Sequence, residues 1–365
     1  MIYRTLPHGG ERLSVIGMGA GSLHNSSAKE IERTVDAAID AGVNLFDYIP
    51  SNAAPLEPMA RALHRHRADV NIQMHMGADY SSGSYGWTTN AKTAIREFEN
   101  RLRTVGTDYA DFGFIHCIDE DADLDHVLNG GIWEYALKRK ADGTIRHLAC
   151  STHSTHIARR LAATGEIDLC MFGINPMYDY TDDSSYGSDE ADDRMALYRE
   201  FESAGIGISV MKPFAGGQLL SAAASPFGRA LSRTQCLQYA LDRPAVVSIL
   251  PGMRGMSDLQ DILTYLDATD EERDYSAVAQ FRPENADAPC MYCNHCQPCP
   301  AGIAIGMANK YYDLARQGDV IAEGHYRNLE KHASDCINCG HCDNRCPFDV
   351  AQSARMKEIA AYFGI

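Results

Sequence analysis

The stretch "SAKEIERTVDAAIDAGVNLFD" (27–47) holds one helix and one strand in succession. Ser27 is placed to cap the helix N-terminus and Gly42 to stop it. The apolar run "VNLFD" (43–47) then reads as a buried parallel strand. The same kind of run recurs as "SVIGMG" (14–19), "VNIQMHMG" (70–77), "ADFGFIH" (110–116), "IRHLACS" (145–151), "DLCMFGIN" (168–175), "IGISVMK" (206–212) and "VVSILPG" (246–252). Helix-like stretches lie between the runs. In "NAKTAIREFENRLRTVG" (90–106), Ala94, Phe98 and Leu102 share one face, with Ile95 beside them. Eight strand–helix units in about 255 residues are what a (β/α)8 barrel requires. A doubly wound open sheet is the alternative.

The barrel accounts for residues 1–280. The remainder, 285–365, forms a second and smaller domain after the linker "QFRPENADAP" (280–289). The chain has 365 residues, 45% of them hydrophobic, so a sizeable core is expected. A net charge of -16 repels nucleic acid and anionic membranes, and neither is expected as a partner. The first residues lack the apolar core of a secretory signal, and no apolar run approaches the roughly 18 residues that span a bilayer. A cytoplasmic protein is the expectation. The acidic stretch "DYTDDSSYGSDEADD" (179–193) follows the sixth strand and reads as a solvated loop or a lid.

Eight of the twelve cysteines fall in two runs of the second domain. One is Cys336-x2-Cys339-x2-Cys342-x3-Cys346-Pro347, the bacterial ferredoxin spacing. The other, Cys290-x2-Cys293-x2-Cys296-x2-Cys299-Pro300, differs by one residue in its last step. In such runs three thiolates hold one cube and the fourth reaches a second cube. Two [4Fe-4S] clusters are expected, with Cys299 serving the second and Cys346 the first. Structural zinc commonly uses separated C-x2-C pairs, which this layout does not match. Cys117, Cys150, Cys170 and Cys236 read most simply as core hydrophobes. The helical domain is therefore expected to be ferredoxin-like.

The barrel resembles the aldo-keto reductase superfamily. The stretches that carry the resemblance are "YRTLPHGGERLSVIGMGAGSL", "AIDAGVNLFD", "VGTDYADFGFIH", "DGTIRHLACSTHS", "MKPFAGGQLL" and "ILPGMRGMSDL", in the family's order over residues 1 to 275. A subgroup of that superfamily carries a C-terminal twin C-x2-C-x2-C segment. The resemblance implies a barrel that binds NADP(H) at the C-terminal strand ends and reduces carbonyls with an Asp, Tyr, Lys, His tetrad. Asp47 and His116 match two of the four. Asn52 stands where the tyrosine should, with Tyr48 directly after Asp47. His75 stands where the lysine should, and Lys212 at the end of the seventh strand could supply a cation from across the barrel. For the cofactor, Ser151 matches a nicotinamide contact, Asn175 a further amide contact, and Gly252 and Arg254 of "LPGMRG" the loop around the phosphates. Thr152 and Ile262 replace asparagines expected there. Tyr80, Tyr85 and Trp87, in the loop after the third strand, would make an aromatic wall for a planar small-molecule substrate or simply pack the loop.

Two readings follow. One is an oxidoreductase passing electrons between the clusters and a cofactor or substrate at the barrel mouth, together with an external electron carrier. A nicotinamide is the expected organic cofactor, with a flavin the lesser alternative. The other reading is a non-catalytic electron-transfer or binding subunit on a degenerate barrel.

Overall fold

Eight strands run parallel around a barrel: Met18–Gly19, Leu45–Asp47, Asn71–Met76, Ala110–Ile115, Ile145–Ser151, Leu169–Gly173, Gly207–Met211 and Val246–Ile249. They neighbour one another in chain order, and the parallel bridges Ile16↔Ile249 and Gly19↔Gly252 join the last strand to the first. An open sheet would leave two free edges, so these bridges decide for the closed barrel. Glycine permits the join: a Cβ on Gly19 would lie 3.0 Å from the Leu250 carbonyl oxygen. A computed structural model describes residues 1–180, 191–281, 290, 296–316, 322–346 and 350–365. Most of the acidic loop, most of the linker, and Cys293 lie outside the described residues.

Alternation along the strands fills the interior. Leu45, Phe112, Leu169 and Val247 pack in one cluster with Leu6 and Leu13 of the N-terminal hairpin. Farther up, Gln73 Nε2 donates to Ser209 Oγ across 3.1 Å. Two residues beyond Leu45, Gln73, Phe114 and Ala149 stand Asp47, His75, His116 and Ser151. The interior is thus apolar at the closed end and titratable at the C-terminal end, where barrel sites form.

The surrounding helices follow the sequence signals. Ser27 Oγ accepts the Glu30 N–H at the start of Ala28–Asp40, and Gly42 follows with φ +90°. Helix Ala91–Val105 buries Ala94, Phe98 and Leu102.

The second domain packs Ile305–Arg316 against Ala322–Arg327 and Gln352–Phe363. After Ala322–Arg327 the chain turns so that the Ala333 N–H reaches Tyr326 Oη at 2.8 Å. The domain docks on the barrel helix Ala191–Ser203 through Lys310–Glu202 (2.5 Å) and Arg199–Asp313 (3.4 Å). Among the described residues, no helix is long and apolar enough to cross a membrane.

Candidate active site and metal centres

A cavity of about 680 Å³ opens at the C-terminal strand ends, within the size range of small-molecule sites. Asp47, His75, His116 and Ser151 lie on its wall. His75 Nε2 is 2.7 Å from Asp47 Oδ1, and His75 Nδ1 is 3.0 Å from His116 Nδ1. His116 Nε2 is 2.8 Å from Tyr85 Oη, and Trp87 Nε1 donates to the His116 carbonyl at 3.1 Å. Phe114 stacks on the His75 ring at 4.5 Å, and the buried Arg101 guanidinium donates to the His75 and Ala78 carbonyls. Burial raises the Asp47 carboxyl well above the usual range. It lowers His75 and His116 well below the usual histidine value, with Arg101 adding to the shift on each. Neutral imidazoles beside a carboxyl that favours its proton are suited to passing protons rather than holding charge.

Lys212 lines the same cavity in a left-handed backbone conformation, φ +57°. Its Nζ donates to His153 Nε2 at 2.8 Å, and His153 Nδ1 meets Asp119 Oδ2 at 2.9 Å. Burial alone would raise Asp119, but hydrogen bonds from His153 and Thr152 outweigh it and hold the carboxyl at about 2. The lysine cation therefore belongs to a second chain, Asp119–His153–Lys212. Asp119 and His153 were not singled out in the sequence, although "HCID" and "STHS" directly follow the fourth and fifth strands, where site residues gather. Cys117 also lines the cavity instead of the core, whereas Cys150, Cys170 and Cys236 are buried. Cys117, Asp119 and His153 offer ligand atoms within 4.8 Å of one another, but the ammonium of Lys212 on His153 opposes a divalent ion.

Two sequence candidates are turned away from the cavity. Tyr48 follows the inward Asp47 and so faces outward; it is buried, and its Oη donates to the Leu56 carbonyl at 2.7 Å. Asn175 is buried behind the wall, with Nδ2 donating to the Lys212 carbonyl and Oδ1 accepting the Tyr178 N–H. It fixes the strand end that carries Lys212. Gly252 and Arg254 do line the cavity. Tyr80 is buried, with Oη donating to the Pro50 carbonyl at 2.6 Å, so the aromatic wall stands behind and above His116.

In the second domain, Cys299, Cys336, Cys339 and Cys342 wall one small cavity. His341 shares that wall, and its buried Nε2 has no hydrogen-bond partner among the described residues. Burial and the nearby Cys290 and Cys346 push Cys296 up to about 12. A thiol held up in this way resists ionisation until a cation joins it, and the unpartnered His341 ring nitrogen borders the cysteine-lined cavity. Cys299 thus shares a cavity with the second run, while Cys346, Cys342 and Cys290 all lie near Cys296.

The aldo/keto reductase family matches residues 15–229, more than half of the chain, and a 4Fe-4S dicluster domain matches residues 289–351. The chain belongs to the aldo/keto reductase family. Its barrel superposes on an aldo-keto reductase from Bacillus halodurans in the holo form with a TM-score of 0.62 and 19% identity, covering 78% of this chain and 97% of that one. An aldo/keto reductase from Klebsiella pneumoniae in complex with NADP and acetate gives a TM-score of 0.55 and 17% identity, over 78% of this chain and 98% of that one. At these identities the likeness is one of fold. No curated protein matches the sequence. An aldo/keto reductase barrel joined to a 4Fe-4S dicluster domain makes the chain an iron–sulfur oxidoreductase.

For this aldo/keto reductase, a dinucleotide is the ligand the mouth cavity must be weighed against. Ser151 supplies a hydroxyl beside the histidines, and Arg233 and Arg254 supply positive charge on the opposite wall. A Cβ on Gly252 would lie 2.5 Å from Ser22 Oγ, so the loop bearing Arg254 packs closely on the segment after the first strand. The residues fit a pyrophosphate. Asp258, paired with Arg254 at 2.7 and 2.8 Å, is less suited to a further phosphate.

Proposed function

We propose that this protein is a dinucleotide-linked oxidoreductase that interconverts a small carbonyl compound and its alcohol at the barrel mouth, and that its two [4Fe-4S] clusters connect this site to an external one-electron carrier. The observation that carries the reading is the hydrogen-bonded set Asp47, His75 and His116 on the wall of a cavity that also holds Ser151, Arg233 and Arg254. A bound nicotinamide supplies hydride chemistry, and clusters supply single electrons. The chain's own residues bind, orient and move protons: Arg254 and Arg233 meet the phosphates, Ser151 the nicotinamide end, and the histidine pair carries protons beside the reacting group. Two roles of the family tetrad are refilled here, because Asn52 replaces the tyrosine and His75 the lysine.

Among the described residues, the cavity wall comes from residues 19 to 262 alone, so the cluster domain does not touch the substrate space. Cys339 is exposed, and Ile337 in the same run is 65% exposed. A cluster there would lie at the surface with an apolar contact beside it, which favours exchange with a separate carrier.

The test is anaerobic titration of the reconstituted protein with NADH and NADPH, reading dinucleotide binding by fluorescence and cluster reduction by electron paramagnetic resonance. Binding, followed by cluster reduction, supports the reading. Full clusters with no dinucleotide binding would favour a barrel that serves only as a scaffold.

A further inference from the structure

Four side chains at the mouth form one unbroken row. Tyr85 Oη is 2.8 Å from His116 Nε2, His116 Nδ1 is 3.0 Å from His75 Nδ1, and His75 Nε2 is 2.7 Å from Asp47 Oδ1. A neutral imidazole carries one donor and one acceptor nitrogen. Two proton arrangements then satisfy every bond in the row. With Asp47 ionised, each donor points toward it: Tyr85 to His116, His116 Nδ1–H to His75, His75 Nε2–H to the carboxylate. With Asp47 protonated, each donor points outward. Tyr85 then accepts from His116 Nε2–H, and its own O–H is released toward the substrate. Both rings stay neutral in both arrangements, which differ by one proton.

The position of the phenol has a local cause. Asn52 stands where the sequence resemblance places the family's tyrosine, and Asn52 forms a backbone bridge with Ser84, the residue before Tyr85. The pairing of Ala78–Asp79 with Gly86–Trp87 closes the loop that carries Tyr85. The phenol thus comes from the strand-three loop, next to the place vacated in the strand-two loop. Tyr85 is 40% exposed, and its hydroxyl reaches the cavity wall at His116 Nε2.

We propose that Tyr85 is the residue that exchanges a proton with the substrate oxygen, and that His116 and His75 link it to Asp47, which stores the proton. The proposal rests on the carbonyl–alcohol reading above. In reduction the carbonyl carbon gains a hydride from the reduced dinucleotide, and the carbonyl oxygen takes the Tyr85 proton. His116 Nε2–H replaces it, His75 Nδ1–H passes to His116 Nδ1, and the Asp47 proton passes to His75 Nε2. The products are the alcohol, the oxidised dinucleotide and an Asp47 carboxylate, which regains its proton from water. Oxidation runs the row in reverse. Burial, aided by Cys117 and Asp119, pushes Tyr85 up to about 12. The row lets the phenol give up its proton and be reloaded in one motion, without a lasting phenolate. The groups facing the row are Arg101 behind His75, Tyr80 and Tyr48 near Asp47, Cys117 near Tyr85, and Asp119 and His153 beyond His116.

The experiment uses the full holoprotein, labelled with ¹⁵N-histidine and followed by NMR through pH, with Asp47→Asn and Tyr85→Phe alongside. His75 and His116 should switch tautomer together at one midpoint while neutral, and the switch should vanish in Asp47→Asn. Tyr85→Phe, which removes one oxygen, should slow carbonyl reduction by about 10²–10⁴, the usual loss for a positioned acid, with dinucleotide affinity and iron content unchanged. Rings that titrate separately to cations overturn the row. Tyr85→Phe turning over within about twofold of wild type overturns the role of the phenol. Failure of the wild type to bind any dinucleotide counts against the function reading instead, and the tautomer switch still decides the row.

Discussion

His75 Nε2 lies 2.7 Å from Asp47 Oδ1, so a neutral ring stands where the family resemblance places a lysine. A lysine would hold the aspartate ionised. An imidazole kept neutral by burial leaves the buried carboxyl free to keep its proton. Asp47 has a folded-state pKa above its unfolded value of about 3.9. Its native state therefore binds more protons, and its contribution to stability is present below the unfolded pKa and lost as pH rises through the folded one. Asp47→Asn should flatten the decline of stability above about pH 4. Thermal unfolding followed by circular dichroism between pH 5 and 8 measures it; parallel profiles for variant and wild type would contradict the assignment.

Cys299 shares a cavity with Cys336, Cys339 and Cys342, while Cys346 lies near Cys296. Each run should therefore lend its last cysteine to the other. The anaerobic protein should carry about eight iron and eight sulfide per chain, and Cys299→Ser or Cys346→Ser should each leave about four. The two variants should lose different clusters, distinguishable by redox titration. Zinc without acid-labile sulfide would contradict the cluster assignment altogether. His341→Ala should retain all the iron and shift one potential, since its ring borders the second set without supplying a needed ligand.

The barrel was legible because its strands are short apolar runs that repeat, and all eight runs contain an observed strand. The dicluster domain was legible because its cysteines recur at a fixed short spacing, and the matching domain covers both runs. The site was only half legible. Asp47 and His116 follow from the family resemblance and from their place at strand ends, but the row through Tyr85 depends on how the loop after the third strand folds back, which no period in the sequence encodes. The same limit applies to Asp119 and His153, two loop residues that meet only because neighbouring strands end side by side. Tyr48 and Asn175 mislead for the opposite reason. Each stands beside the right strand end, and each faces away from the cavity.

Asp179 is the first residue of the acidic stretch and lies in the short helix Pro176–Tyr180, and its carboxylate accepts three hydrogen bonds. Arg194 Nε, Tyr198 Oη and Tyr239 Oη each donate to it at 2.8 Å, and both Asp179 and Arg194 are buried. Arg194 also donates to the Gly173 carbonyl at the end of the sixth strand. Asp179→Ala leaves a buried guanidinium uncompensated and should cost about 3–5 kcal/mol. Asp179→Leu combined with Arg194→Met should recover much of that loss, because the charge leaves with its partner. Urea unfolding of the three proteins at constant iron content is the measurement. A single variant within about 0.5 kcal/mol of wild type would show that the pair contributes no net stability.

Arg254 is 74% exposed at the rim of the cavity, yet its guanidinium is not unclaimed. Nε and Nη2 meet the two Asp258 oxygens at 2.7 and 2.8 Å, and the Arg254 backbone N–H adds a third bond at 2.9 Å. Arg233 reaches the same carboxylate at 3.9 Å. A 2′-phosphate would have to share these cations with Asp258 and would meet its negative charge, whereas NADH brings no such group. NADH should therefore bind at least as well as NADPH. Asp258→Asn keeps the side chain's size and removes the charge; it should tighten NADPH by about tenfold, roughly 1.4 kcal/mol, and leave NADH nearly unchanged. Because the Arg254 guanidinium is solvent-exposed, the gain should shrink as salt rises from about 0.01 to 0.15 M. Adding Arg254→Ala should cancel it, since the freed guanidinium is the group that gains the phosphate. Fluorescence titrations at two salt concentrations give all four comparisons. Equal tightening of NADH and NADPH would place the effect on the pyrophosphate, and a loss of NADPH affinity in Asp258→Asn would mean that the carboxylate orients Arg254 for binding rather than competing for it.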